Sequence, residues 1–360
     1  MNCNKSLLDR EYSAWIKGFL TLLIILGHDM VFTMPLNEYG VMSFFYLFHI
    51  QGFFILPFLY GVDAKPYTFG RIKDTLIRFY WPYGVLVTVM MLGVGVYSRF
   101  SAITWEGLIR LYLFCDAASI KQMCGIQIFW FLPSMLMTVL LKELYYRTNS
   151  FVRFFLFIAS FVLMIATVHA NTSYQAQSIN TYLMRHLPLG MGYAVQMLAM
   201  GVVLRALVSF IEKMRGYKFA FIVSACGFLF CSLLYWKYVA RLIGSSDLNV
   251  VYAVLQNVTP VLFMVMLVSA LNLLRLNMGN SMVVKLGHRS LCVYLISPFI
   301  GYITYFACEY FNGMYWWIGL LLWPVIAFTA YCGSFLIKGK VEQMLFPHNL
   351  YALIQVLKVK

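Results

Sequence analysis

The chain has 360 residues, of which 62% are hydrophobic and only 11% charged. Soluble domains run at roughly 45–50% apolar and 25% charged residues, so this composition excludes a water-soluble globule. The formal net charge of +14 then needs a membrane explanation, and it does not argue for nucleic-acid binding.

Ten apolar stretches of about 20 residues follow one another, each long enough at 1.5 Å per residue to cross a hydrocarbon core of roughly 30 Å. They cover 12–33, 40–61, 77–98, 126–146, 151–170, 187–208, 218–236, 249–273, 287–307 and 314–337. Each is expected to be a helix, because an open strand leaves backbone groups unsatisfied in lipid. The expected fold is an all-α polytopic bundle of about ten spans. It forms one transmembrane domain over 1–340, followed by a cytoplasmic amphipathic tail over 341–360 in which Leu345, Phe346, Leu350, Ile354 and Leu357 alternate with polar residues.

The first stretch contains Lys17 and His28 and is expected to remain as an anchor, not to be cleaved as a signal peptide. An even number of spans puts both termini on one side, and the basic residues choose that side. Of the 27 Lys and Arg, nineteen lie in the N-terminus, in the even-numbered loops or the span ends that flank them (Arg205 among these) and in the tail, and six in the other loops; Lys17 and Arg78 are left out of this count. This places both termini in the cytoplasm and explains the net charge by topology and by attraction to anionic inner-leaflet lipids.

The longest outer loop, 99–125, carries the short apolar run Trp105, Leu108, Ile109, Leu111, Tyr112 and Leu113, which is expected to lie on the outer interface. Cys115 and Cys124 share this loop, and a disulfide and two free thiols are equally compatible with it. The eight cysteines show no metal-binding spacing.

Ionisable groups inside spans are costly and mark function or buried pairing. Lys17 and His28 are eleven residues apart, so they project from one helix face about 16 Å apart along its axis, with Thr21 between them. A neutral histidine is well suited to take a proton from a hydroxyl near neutral pH. Asp29 follows His28 directly, although adjacent helical residues diverge by about 100°. The second span holds His49 and Gln51, for which a core histidine bonded between helices is the plainer reading. Arg71, Lys73, Asp74 and Arg78 precede Trp81-Pro82-Tyr83 as the third span begins. Such a cluster anchors a membrane face, and arginine also grips phosphates through paired donors.

Together these residues resemble the type-3 membrane acyltransferases. The resemblance runs over nearly the whole chain: Lys17-Gly18 through Leu26-Gly27-His28 in the first span; Phe48, His49, Phe53 and Phe54 in the second; Arg78, Pro82 and Tyr83 at the third. Trp130-Phe131-Leu132 and the late series Leu286-Gly287, Ser290-Leu291 and Tyr294-Leu295 complete it. Two positions depart from the pattern: Thr75 stands where the family has a paired arginine, and Ser297 where it often has a histidine.

The resemblance implies transfer of an acyl group, usually acetyl, from cytosolic acyl-CoA as co-substrate to a hydroxyl of an extracytoplasmic glycan. It implies His28 as general base beside Asp29, and Lys17, Arg71 and Arg78 as contacts for the CoA phosphates. His49, Ser290 and Tyr294 would support the site. The implied setting is a bacterial plasma (inner) membrane crossed many times, with membrane lipids and a glycan or lipid-linked glycan as partners. A transporter or flippase for a lipid-linked glycan or small solute is the competing reading. It favours inverted repeats and helices broken near the bilayer midplane, and no repeat is visible in the sequence.

Overall fold

The computed structural model describes residues 6–33, 35–36, 41–45, 47–62, 68–97, 103–125, 128–170, 187–239, 249–274, 281–310, 315–337, 339–347 and 349–358. The first residues of the 40–61, 126–146 and 314–337 stretches and the last of 77–98 lie outside them. Among the described residues there is no strand.

In chain order the helices are α1 (Arg10–His28), α2 (Met30–Thr33), α3 (Val41–Phe45), α4 (His49–Ile55), α5 (Phe69–Tyr97), α6 (Trp105–Ile109), α7 (Ala117–Cys124), α8 (Phe131–Arg147) and α9 (Ser150–Ala170). Then come α10 (Met191–Met214), α11 (Tyr217–Leu234), α12 (Asn249–Leu274), α13 (Met282–His288), α14 (Ser290–Tyr310), α15 (Trp316–Ser334), α16 (Lys340–Leu345) and α17 (Leu350–Lys358). Among the described residues, seven helical segments are long and apolar enough to cross a membrane: Phe69–Val96, Ile128–Arg147, Pro188–Met214, Tyr217–Tyr238, Val254–Leu274, Ser290–Tyr310 and Trp316–Ser334.

The first two expected spans are not continuous helices. Asp29 has an extended backbone (φ −68°, ψ 105°) between α1 and α2, and its carboxylate satisfies the amides that begin α2. The 40–61 stretch divides into α3, α4 and a tight 3₁₀ turn, Leu56–Leu59, with Pro57 near its start. Proline gives no amide hydrogen to a helical ladder, which favours the change of winding there.

The chain forms two compact units. One comprises Met1–Gly61 with Met200–Leu336, and the other Val62–Ala170 with Gln175–Ala199 and Ile337–Lys360. In the first, α1 lies against α13 at backbone contact. A Cβ on Gly18 would stand 2.0 Å from the Val283 carbonyl oxygen, and one on Gly287 would stand 1.7 Å from that of Ala14. In lipid, helices associate through such close packing because burial from water is no longer the driving force. Ile25, Val293, Ile326, Ala327 and Ala330 form the core between α1, α14 and α15.

In the second unit the 103–125 segment folds back along α5. The Tyr80 hydroxyl donates to the Tyr112 carbonyl at 2.5 Å, and the Tyr83 hydroxyl donates to the Leu111 carbonyl. Tyr83 is fourteen residues before Tyr97, about 21 Å along the helix. These bonds satisfy carbonyls of the wide turn Arg110–Phe114, and Leu111, Cys115, Ile120, Met123 and Cys124 are buried. Cys115 and Cys124 are free thiols, which resolves the alternative left open by the sequence. The tail is folded as well: Trp81 Nε1 donates to the Met344 carbonyl at 2.7 Å.

Candidate functional site

The features that carry chemistry in the first unit sit at the two ends of α1. At the far end, Gly27 lets the following chain come close: its Cβ would be 3.0 Å from Phe45 Cβ and 3.7 Å from His49 Cε1. Without that side chain the rings of His28 and His49 approach edge to face, with centroids 5.8 Å apart and planes at 75°.

Both imidazoles are oriented by the same device. His28 Nδ1 lies 2.9 Å from the Ile24 carbonyl oxygen, and His49 Nδ1 is bonded to that of Phe45. A carbonyl only accepts, so each Nδ1 carries a hydrogen, and in the neutral ring the lone pair is on Nε2. His28 is half-buried and His49 fully buried. His28 is thus set as a hydrogen acceptor through Nε2, the form a general base needs.

Asp29 serves this end structurally. Its Oδ1 accepts from the amides of Val31 at 3.0 Å and Phe32 at 3.4 Å, and the Thr33 hydroxyl donates to its carbonyl at 2.8 Å. One carboxylate oxygen is therefore occupied in starting α2, as at a helix N-cap.

At the near end, Lys17 Nζ lies 5.4 Å from the centre of the Tyr60 ring, and the Tyr60 hydroxyl is 2.7 Å from Ser13 Oγ. Arg205 Nη1 donates to the carbonyls of Phe58 at 2.7 Å and Tyr60 at 3.1 Å, with 1% of the residue exposed. The sequence placed Arg205 among the loop cations. Its position between the apolar Leu204 and Ala206, inside the 187–208 stretch, was the available signal that it is buried. Thr21 does lie between the two ends, and its hydroxyl bonds back to the Lys17 carbonyl at 2.8 Å.

Ser290 opens α14 half-buried, and Tyr294 is buried one turn later, beside the core residue Val293. Arg71 and Arg78 belong to the second unit, seven residues apart on one face of α5, about 10 Å along its axis. Arg78 is exposed with its guanidinium 5.7 Å from the Phe79 ring, and Arg71 is half-buried. Pro82 withholds an amide from the Arg78 carbonyl, so the helix is locally loosened there. Among the described residues no three His, Cys, Asp or Glu side chains converge as metal ligands would.

The arrangement places an imidazole oriented through Nδ1 at the end of α1 and Lys17 against the Tyr60 ring eleven residues earlier, with Arg71 and Arg78 on the other unit. Comparison with protein-family models, with curated proteins and with solved structures finds no match to this chain.

Proposed function

We propose that the protein is an integral-membrane O-acyltransferase that moves an acyl group, most simply acetyl, from cytosolic acyl-CoA to a hydroxyl of an extracytoplasmic glycan. The observation that carries the reading is the His28 Nδ1 bond to the Ile24 carbonyl, which leaves Nε2 basic eleven residues along α1 from Lys17. His28 Nε2 takes the acceptor hydroxyl proton as that oxygen attacks the thioester carbonyl. The new C–O bond forms, the C–S bond breaks, and the proton ends on the departing CoA thiolate. Lys17 on the first unit, and Arg71 and Arg78 on the second, are each assigned to CoA phosphates, while Asp29 holds the helix break that presents His28. His49 supports His28 edge to face, and Ser290 and Tyr294 are assigned supporting roles from α14.

The topology that serves this reaction has ten crossings in a bacterial inner membrane, with both termini and the 341–360 tail cytoplasmic. Three crossings then come from α1 with α2, from α3 with α4, and from α9, in addition to the seven long apolar helices. One observation favours a second reading, a transporter or flippase: the helix breaks at Asp29 and at Leu56–Leu59 are of the kind that line transport sites.

The test is release of free CoA from labelled acetyl-CoA by the purified protein, with and without surface glycan, for wild type and His28→Ala. Release that requires both glycan and His28 supports acyl transfer. Equal label on the glycan in His28→Ala removes His28 from the mechanism, and no turnover with any acyl donor directs attention to transport.

A further inference from the structure

Tyr60 ends the 3₁₀ turn Leu56–Leu59, where a helix leaves its last carbonyls without partners of their own. Arg205 supplies donors to two of them, those of Phe58 and Tyr60, from one nitrogen. Gly201, one turn earlier on α10, makes room for this: its Cβ would stand 2.2 Å from the Phe58 ring. The Tyr60 backbone is therefore pinned from α10.

Its side chain is pinned from α1. Ser13 and Lys17 are four residues apart and so share a face of α1. The Tyr60 hydroxyl meets Ser13 Oγ at 2.7 Å, while its ring lies 5.4 Å from Lys17 Nζ. That is within the roughly 6 Å at which a ring attracts an ammonium. The ring thus spans one turn of α1, anchored at Ser13 and seating the cation at Lys17. An ammonium that merely snorkels to a membrane surface needs no such seat. A buried arginine spent on holding the seat is costly in a bilayer.

We propose that Tyr60, held by Arg205, is a positioning residue that fixes the Lys17 ammonium in advance as an anion contact for the phosphates of the acyl donor. The proposal rests on the acyl-CoA reading above. A free lysine side chain loses rotamer entropy when it is ordered. A lysine already seated on a ring has lost part of that freedom before the ligand arrives, which is how preorganisation raises affinity.

The experiment uses the full chain in nanodiscs of zwitterionic phosphatidylcholine, so that no headgroup of net negative charge competes for the ammonium. CoA binding is measured by calorimetry, and KM and kcat are measured with acetyl-CoA. Removing the ring in Tyr60→Leu should raise the CoA Kd and the acetyl-CoA KM roughly five- to tenfold while kcat stays within about twofold. Tyr60→Phe, which keeps the ring, should restore most of the affinity, and Arg205→Gln should move KM in the same direction as Tyr60→Leu. In a Lys17→Met background, Tyr60→Leu should add nothing further.

Thermal melts of each variant separate a loss of fold from a loss of positioning. CoA binding that is unchanged in Tyr60→Leu, or an effect that persists in full without Lys17, overturns the proposal and leaves the acyltransferase reading standing. A wild-type protein that binds no CoA overturns both.

Discussion

Gly18 and Gly287 face each other across the α1–α13 crossing: an ideal Cβ on either would stand within 3.0 Å of the other's backbone nitrogen. They are 269 positions apart in the chain, and each belongs to a short motif that the sequence marks out, Lys17-Gly18 and Leu286-Gly287. The crossing is antiparallel, with Ala14 at Gly287 and Val283 at Gly18, and it leaves no room for a single methyl group. Because Lys17 adjoins Gly18, this crossing also sets where the near end of α1 lies in its unit.

Gly18→Ala should therefore destabilise the protein. The atoms it meets are backbone, which cannot rotate aside, so a loss of about 1–3 kcal/mol is expected from overpacking. Gly287→Ala should cost a similar amount, and the double variant less than the sum, since the first substitution already separates the helices. Thermal unfolding in detergent measures all three, and a Gly18→Ala melting curve that superimposes on wild type would sink the account of the crossing.

Asp29 is expected to act as a cap. Asp29→Ala leaves the Val31 and Phe32 amides without their acceptor and should cost about 1 kcal/mol, within the range for lost N-caps. Asp29→Asn keeps an oxygen in place and should retain most of that stability. Chemical denaturation of the two variants reads the difference; equal losses for Ala and Asn would show that the charge matters and not the acceptor.

Arg78 is exposed nine residues into α5, where a guanidinium can offer two parallel donors to a phosphate. Arg78→Ala should raise the KM for acetyl-CoA more than Arg78→Lys does, because lysine keeps the charge and loses the fork. Steady-state kinetics with varied acetyl-CoA decide it, and identical KM values for wild type and Arg78→Ala would remove the residue from donor binding.

Cys115 and Cys124 should resist alkylation in the folded protein. Burial pushes the Cys115 thiol up to about 12 and that of Cys124 to about 11. A raised value means that the reactive thiolate is scarce at every pH below it and grows as pH rises. At pH 8 a maleimide should label these two positions slowly until denaturant is added. Mass spectrometry of the labelled peptides provides the readout, and rapid labelling of the native protein would contradict the packing of 103–125 against α5.

The helical class, the seven long apolar segments and the pairing of Lys17 with His28 along one helix were legible in the sequence. They depend on local quantities: length of apolar run, exclusion of charge and the 3.6-residue period. The reading failed where a local pattern has more than one continuation. The 12–33 and 40–61 runs are apolar enough to continue as helices, yet Asp29 and Pro57 change their winding. Nor does composition reveal that the hydroxyls of Tyr80 and Tyr83 hold the 103–125 segment against α5.

By itself, then, the sequence determined that the chain must satisfy its backbone in helices and which few polar groups those helices would carry. Only the tertiary structure decided which of these groups meet. The edge-to-face approach of His28 and His49, the seat that Tyr60 provides for Lys17 and the burial of Arg205 all join residues distant in the chain. Close approach at Gly27 accompanies the first and at Gly201 the last. Helical periodicity specifies the direction of a side chain about its own axis, whereas the partner it finds depends on how closely a second helix can come.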